Sequence, residues 1–166
     1  EEHSNRIAHL SKKIGKHLNL TAESLNDLQL LAMLHDIGKV GIDDRILNKA
    51  GPLNEEEWEI MKKHPEIGYR IAMSTMELES VAEYILHHHE RWDGSGYPRG
   101  LKGESIPLLS RILAVVDAFD AMTEGRVYRQ KKTKEAALEE IKQNAGTQFD
   151  PNIAEIFLHI MNNEQL

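Results

Sequence analysis

The stretch LLAMLHDIGK, residues 30–39, sets a histidine and an aspartate side by side in an otherwise apolar run. Apolar residues in this region recur at three- and four-residue spacing, which predicts a helix that continues through Ile37 and stops at Gly38. His35 and Asp36 then lie near the helix end, where burying polar side chains costs free energy unless they have partners. The pair indicates either a hydrogen-bonded helix end or the ligands of a bound ion.

Helical spacing extends over nearly the whole chain, and no stretch shows the sustained alternation typical of a strand. Residues that favour helix starts precede the apolar stripes at Thr21, Asn54 and Thr133. Trp58 is expected to face the core from the helix that Asn54 begins. The sequence therefore predicts an all-α fold.

The composition excludes several classes of protein. Nine histidines and no cysteine among 166 residues rule out disulfide scaffolds, cysteine-ligated zinc, iron–sulfur centres and thiol nucleophiles. No apolar run approaches the ~20 residues of a membrane span, and a net charge of −7 argues against a broad surface for duplex nucleic acid. The length suits one domain over residues 1–166. Because the chain begins at Glu1 without a methionine, we expect it to come from a longer multidomain protein.

Further histidines and acids fall in similarly apolar surroundings. His88 and His89 close the run YILHHHE, on a helix that is expected to include His88. Asp117 lies inside RILAVVDAFDAMT, where an unpaired carboxylate would be costly. Asp120 follows about one turn later, and we expect it to orient a ligand rather than to bind an ion itself.

These residues form a set of imidazoles and carboxylates without sulfur, a donor set that suits iron, manganese or zinc. Such a set matches a site with two metal ions about 3.5–4 Å apart, in which Asp36 is the candidate bridging carboxylate. His3 and His64 complete the set, although a surface or hydrogen-bonded histidine is the default interpretation of each taken alone. The candidate ligands are His3, His35, Asp36, His64, His88, His89 and Asp117.

Three motifs in the chain resemble those of the HD-GYP subgroup of HD-domain metal phosphohydrolases. They are HDIGK at 35–39, HHERWDGSGYPRGLKGE at 88–104 and DAFDAMTEGRVYR at 117–129. The resemblance covers essentially the whole chain and implies an all-helical fold with the same seven residues as metal ligands. It also implies hydrolysis of the bacterial second messenger cyclic di-GMP to pGpG, to GMP, or to both.

The resemblance implies a cofactor of two divalent transition-metal ions. Iron or manganese is expected first, with zinc, nickel or cobalt as alternatives. Some members of the subgroup hold a third metal with a glutamate four residues before the position of His3. That position falls before residue 1, so three-metal binding stays open here.

The substrate carries a charge of about −2, and a metal-bridging hydroxide would attack its phosphorus in line. Asp36 and Lys39 are the expected catalytic residues, with Lys39 also the first cation near the substrate. The resemblance places Arg126 and Arg129 near the phosphates. Tyr97 either stacks on guanine, donates its hydroxyl to a phosphate, or only braces the glycine-rich loop.

Two other functions stay open from the sequence. One is hydrolysis of a related cyclic dinucleotide such as 3′,3′-cyclic GMP–AMP, and the other is a non-catalytic module that binds a ligand or a partner. A structural metal site is disfavoured, because such sites are typically closed by four ligands. We expect a cytoplasmic domain that contacts neither a membrane nor duplex nucleic acid. We also expect a sensory or receiver domain upstream of it in the full-length protein. The loop over residues 92–107, the GYP loop, is a candidate site for a protein partner.

Overall fold

Side-chain caps begin several helices in the computed structural model, which describes residues 2–125 and 130–163. The Thr21 hydroxyl accepts a hydrogen bond from the amide of Ser24 over 3.1 Å. Asn54 and Glu57 form a reciprocal capping box. The described helices are α1 (Glu2–His17), α2 (Ala22–Leu34), α3 (Asp44–Leu47), α4 (Glu55–Met61), α5 (His64–Met73), α6 (Ala82–Leu86), α7 (Leu108–Glu124), α8 (Lys134–Gln143) and α9 (Pro151–Asn163), with 3₁₀ turns at Ile37–Gly41, Met76–Val81 and Gly103–Ser105.

The all-α prediction is confirmed over the described residues. Pairing of extended backbone there is limited to two isolated bridges, one between Asp93 and Lys102 and one between Ala145 and Phe149. Within the same part of the chain, every helix is too short or too polar to cross a bilayer.

Helix α7 is the centre of the fold and contacts α1, α2, α6, α8 and α9. Its buried face includes Ile112, Val116 and Phe119, and the Phe119 ring packs edge-on against Phe157 of α9 with centroids 5.2 Å apart. The site residues on α1 and α7 are therefore carried by helices that the hydrophobic core holds against each other.

Helix α2 ends at Leu34, three residues before the position that the sequence predicts. The ring Nδ1 of His35 lies 2.9 Å from the carbonyl oxygen of Ala32, so the side chain takes an acceptor at the helix terminus. The backbone then tightens into the 3₁₀ turn at Ile37–Gly41. Gly38 packs so closely on α5 that an added Cβ would collide with the carbonyl oxygen of His64.

Helix α6 also ends earlier than expected, at Leu86. His88 lies beyond it, and its ring Nδ1 is 2.6 Å from the carbonyl oxygen of Ile85. His35 and His88 therefore lie in the same local arrangement. Each ring is hydrogen-bonded to the backbone carbonyl three residues earlier, just beyond the end of a helix.

The prediction for Trp58 is wrong. This side chain is 44% exposed, and α4 buries none of its residues fully. Trp58 contacts the ring of Tyr97 edge-on, with centroids 6.1 Å apart, so it lies beside the GYP loop instead of in the core. An isolated helix of seven residues has one apolar face, and the sequence alone does not say whether that face meets the core or a cleft.

Candidate metal centre

The structure brings the seven candidate ligands together as two adjoining groups. Within each group the candidate ligand atoms all lie within 4.8 Å of one another. The four-residue group consists of Asp36, His64, His88 and His89, and the three-residue group consists of His3, His35 and Asp117.

Asp36 lies where the two groups meet. Its Oδ1 is 3.9 Å from Nε2 of His88, in its own group, and its Oδ2 is 3.2 Å from Nε2 of His35, in the other. Asp117 Oδ1 lies 3.7 Å from the same His35 nitrogen and 3.8 Å from Nε2 of His3. His35 and Asp36, which are adjacent in sequence, therefore belong to different groups. The Asp36 carboxylate faces ligands of both groups.

Backbone carbonyls fix which ring nitrogen points into the site. A carbonyl oxygen only accepts hydrogen bonds, so the Nδ1 atoms of His35 and His88 donate to the carbonyls of Ala32 and Ile85. In the neutral form of each ring, Nε2 is then the nitrogen that carries the lone pair, and it faces the neighbouring ligands. This hydrogen-bonded orientation is the usual support of a metal-binding histidine.

Asp120 gives His3 the same kind of support. Its Oδ2 makes a short contact with Nδ1 of His3, and its Oδ1 accepts from Nε of Arg6 over 2.7 Å. Burial alone would raise the pKa of Asp120, but His3 and Arg6 lower it, so the carboxylate is ionised. Asp120 thus orients a candidate ligand from α7, one turn beyond Asp117.

The residues present fit a metal cofactor. Three ring nitrogens in the site are buried and have no hydrogen-bond partner among the residues that the structure describes: His3 Nε2, His64 Nδ1 and His88 Nε2. Buried nitrogens without partners are costly and rare. A cluster of three such atoms beside carboxylates is explained by a bound cation.

The protonation states of three histidines in the four-residue group also fit a bound metal ion. Burial, followed by the charge on His88, lowers the pKa of His64 to about 3. Burial lowers the pKa of His88 to about 4 and that of His89 well below its ordinary value. These three imidazoles are neutral at pH 7, which is the form that binds a metal.

His35 differs because it lies between two carboxylates. Burial alone would lower its pKa, but Asp117 and Asp36 raise the pKa to about 10. Burial would likewise raise the pKa of Asp36, yet His35, Lys39 and His88 hold it far below the usual range. The carboxylates are therefore ionised, and without another cation the His35 proton balances part of their charge.

A cleft of about 310 Å³ opens beside the two groups. Lys39 lines it, and its Nζ lies 3.3 Å from Oδ2 of Asp36. One part of the cleft lining therefore consists of carboxylate, imidazole and ammonium groups, and the other part is mostly apolar. Its lining residues are Asp36, Lys39, Ile46, Leu47, Lys49, Leu53, Trp58, Met61, His64, His89, Tyr97 and Asp117.

Tyr97 stacks on His89, with ring centroids 5.2 Å apart and an interplanar angle of 12°. Nζ of Lys62 lies 5.5 Å from the centroid of the same ring. Burial, and then the charges on Asp36 and Asp117, raise the pKa of Tyr97, so its hydroxyl remains a hydrogen-bond donor. The ring therefore braces a candidate ligand while it lines the cleft.

Glu90 is a residue that sequence reasoning missed. Its side chain is fully buried and pairs with Nδ1 of His87 over 3.0 Å. The carboxylate also accepts the backbone amides of Arg99 and Leu101, each over 3.0 Å. An acid directly after three histidines was the available signal, but the pattern does not say that it points into the GYP loop.

Two predicted substrate contacts, Arg126 and Arg129, lie outside the described residues. Of the basic residues that follow them, Lys132 pairs with Glu140 over 2.7 Å. The structure thus supplies the position of Lys39 and Tyr97 among the four predicted contacts.

A profile of the HD domain family matches residues 1–153. The chain belongs to the HD domain family. Its HDIGK and WDGSGYP motifs, together with the relatives below, confirm the expected assignment to the HD-GYP group. HD-domain phosphohydrolases depend on divalent metal ions, in agreement with the histidine–aspartate cluster of this HD domain.

The relatives of this HD domain include phosphodiesterases of two kinds. A cyclic di-GMP phosphodiesterase of Thermotoga maritima is 46% identical over 160 residues, which are 95% of this chain and 44% of that protein. The 3′3′-cGAMP-specific phosphodiesterase 2 of Vibrio cholerae is 43% identical, over 94% of this chain and 30% of that protein. The chain thus spans less than half the length of these relatives.

A solved structure shares the fold of this HD domain. A cyclic GMP–AMP-specific phosphodiesterase of V. cholerae superimposes with a TM-score of 0.77 at 26% identity, over 98% of this chain and 44% of that one.

Proposed function

We propose that this HD domain is a metal-dependent phosphodiesterase that hydrolyses cyclic di-GMP to pGpG, to GMP, or to both. The observation that carries the proposal is the meeting of two ligand groups at Asp36, beside a cleft that also holds Lys39. The Thermotoga maritima relative, which is named a cyclic di-GMP phosphodiesterase, supports the choice of substrate.

The four-residue group and the three-residue group would each hold one divalent ion, with Asp36 shared between them. The nitrogen and oxygen donors favour iron or manganese and also suit zinc, nickel or cobalt. Bound metals lower the pKa of water and polarise phosphoryl oxygens, which supplies a nucleophile at neutral pH.

The chain's own residues would place and stabilise the phosphodiester. The Lys39 ammonium would stabilise negative charge that grows on the phosphoryl oxygens during attack. The protonated hydroxyl of Tyr97 is available to donate a hydrogen bond into the cleft. Arg126 and Arg129 are proposed as further cations on the strength of the family resemblance.

A second candidate substrate is 3′,3′-cyclic GMP–AMP. It is favoured by the cGAMP-specific relatives, which reach 43% identity with this chain. Both substrates present the same phosphodiester chemistry to the metal centre, so the difference lies in how the cleft recognises the bases.

The test is turnover of cyclic di-GMP and cyclic GMP–AMP by the manganese- or iron-loaded protein, followed by chromatography. We expect linear product from the wild type and at least a hundredfold loss in Asp36→Ala. Asp44→Ala, a change at an exposed aspartate on α3, is the matched control and should keep wild-type turnover. A loaded protein that binds cyclic di-GMP without any turnover would instead indicate the non-catalytic module.

A further inference from the structure

Half of the cleft lining comes from one segment, residues 46–61, and most of these side chains are apolar. Ile46, Leu47, Leu53, Trp58 and Met61 together form a surface without charge. Such a surface suits the face of a nucleobase, because apolar and aromatic side chains lose water when a planar ring covers them. The phosphates would instead lie toward the metal ligands and Lys39.

Lys49 is the one charged side chain that this segment contributes to the lining. Its Nζ lies 2.6 Å from Oε1 of Glu57. The same carboxylate oxygen accepts the amide of Asn54 over 2.9 Å, and the Asn54 side chain accepts the amide of Glu57 over 2.8 Å. The capping box at the start of α4 therefore holds the Glu57 carboxylate in place, and this carboxylate in turn positions the Lys49 ammonium.

The Glu57 carboxylate offsets the charge of Lys49 and repels an anion. Lys49 is therefore a weaker partner for a phosphate than Lys39, because bound metal ions would offset the charge of Asp36 beside Lys39. Lys49 is a good partner for the neutral edge of a nucleobase that carries hydrogen-bond acceptors. An ammonium has three N–H donors, so the pairing with Glu57 leaves donors for a ligand. Guanine presents two acceptors, O6 and N7, along one edge, whereas adenine presents an amino donor in place of O6.

We propose that Lys49, positioned by Glu57, recognises the O6/N7 edge of one guanine of the substrate in this cleft. The inference rests on the proposed function, because it takes the metal centre to cleave the phosphodiester beside that base. It assigns guanine specificity to a single base position. The cleft would accept cyclic di-GMP in either of its equivalent orientations, cyclic GMP–AMP in one orientation, and cyclic di-AMP in none.

The single orientation has a chemical consequence. In the hydrolysis a water oxygen bonds to phosphorus, the bond from phosphorus to the 3′ oxygen breaks, and a proton passes to that 3′ oxygen. The product carries one new 5′-phosphate and one new 3′-hydroxyl. With cyclic GMP–AMP bound in one orientation, the first cleavage yields only one of the two linear isomers, pGpA or pApG.

The experiment compares the metal-loaded wild type with Lys49→Met, Lys49→Arg and Lys12→Met. Lys12 is an exposed lysine on α1 and serves as the control. The substrates are cyclic di-GMP, cyclic GMP–AMP and cyclic di-AMP, and the linear isomers are separated by chromatography against synthetic standards. Thermal unfolding checks that each variant folds.

We expect the wild type to reject cyclic di-AMP and to form one isomer from cyclic GMP–AMP. Lys49→Met should lower kcat/KM for cyclic di-GMP by about ten- to a hundredfold, the usual range for a hydrogen bond to a charged group. The same variant should produce both isomers. Lys49→Arg, which keeps donors for O6 and N7, should retain the single isomer, and Lys12→Met should match the wild type.

Two outcomes would overturn the inference: a wild type that forms both isomers, or a Lys49→Met variant that loses activity but still forms the single isomer from cyclic GMP–AMP. A failure of the proposed function is distinguishable, because it would abolish turnover altogether. In that case the affinities of the wild type and of Lys49→Met for the phosphorothioate analogues of cyclic di-GMP and cyclic di-AMP still test the base preference. Equal affinity of the wild type for the two analogues would refute it.

Discussion

The buried carboxylate of Glu90 accepts a hydrogen bond from the backbone amide of Leu101 over 3.0 Å, across the base of the GYP loop. The same carboxylate accepts the amide of Arg99 and pairs with His87. Tyr97, which stacks on His89, lies within the segment that these bonds close. Glu90 therefore links the end of the histidine run to the loop whose Tyr97 stacks on a candidate metal ligand.

Replacing Glu90 by alanine should loosen the GYP loop. The amides of Arg99 and Leu101 would lose their buried acceptor, so we expect the free energy of unfolding to fall by about 2–3 kcal/mol. Turnover should fall as well, because Tyr97 would no longer be held against His89. Chemical denaturation and steady-state kinetics measure the two effects. Glu104→Ala, at an exposed position in the same loop, is the control, and equal behaviour of the two variants would contradict this role.

The two ligand groups should lose metal independently. We expect His64→Ala to reduce the bound metal from about two ions to about one, because it removes a ligand of the four-residue group only. His3→Ala should do the same through the three-residue group, and Asp36→Ala should weaken both sites. Elemental analysis of the loaded variants gives the stoichiometry.

His9→Ala is the matched control for the metal measurements, since His9 is an exposed histidine on the same helix as His3. It should bind as much metal as the wild type. If His3→Ala also retained the wild-type metal content, the three-residue group would not be a site.

Gly38→Ala should displace α5 from the HD segment. The new methyl group would collide with the carbonyl oxygen of His64 and lie 2.6 Å from the amide nitrogen of Gly68. We expect a loss of about 3 kcal/mol in the free energy of unfolding, together with weaker metal binding, because His64 would move away from Asp36. Val40→Ala changes an exposed residue of the same turn and should leave both quantities unchanged.

Trp58 should report ligand binding. It lines the cleft and is 44% exposed, so a bound base would change its surroundings. In a Trp92→Phe background, cyclic di-GMP should alter the fluorescence of Trp58 in proportion to occupancy. Trp58→Ala should raise KM by about tenfold, the lower part of the range for a lost base–aromatic contact. An unchanged emission at saturating ligand would exclude a base beside Trp58.

Much of the candidate site was predictable because its residues are chemically unusual where they stand. His35, Asp36 and Asp117 interrupt apolar runs, and a buried polar side chain needs a partner wherever the chain folds. Trp58 and Glu90 do not interrupt apolar runs in this way. A tryptophan on a short helix and an acid after a run of histidines are ordinary residues until their neighbours are known.

The sequence by itself determined the helical fold, the caps at Thr21 and Asn54, and the identity of the candidate ligands. The helices and caps depend on local periodicity and on hydrogen bonds that reach only three residues along the chain. The ligands are recognised from polar residues inside apolar runs and from the motifs that resemble those of the HD-GYP subgroup. Only the tertiary structure assigned His35 and Asp36 to different ligand groups. That assignment requires α2 to stop at Leu34 and Gly38 to pack on His64, and such a contact between distant segments leaves no periodic trace in the sequence.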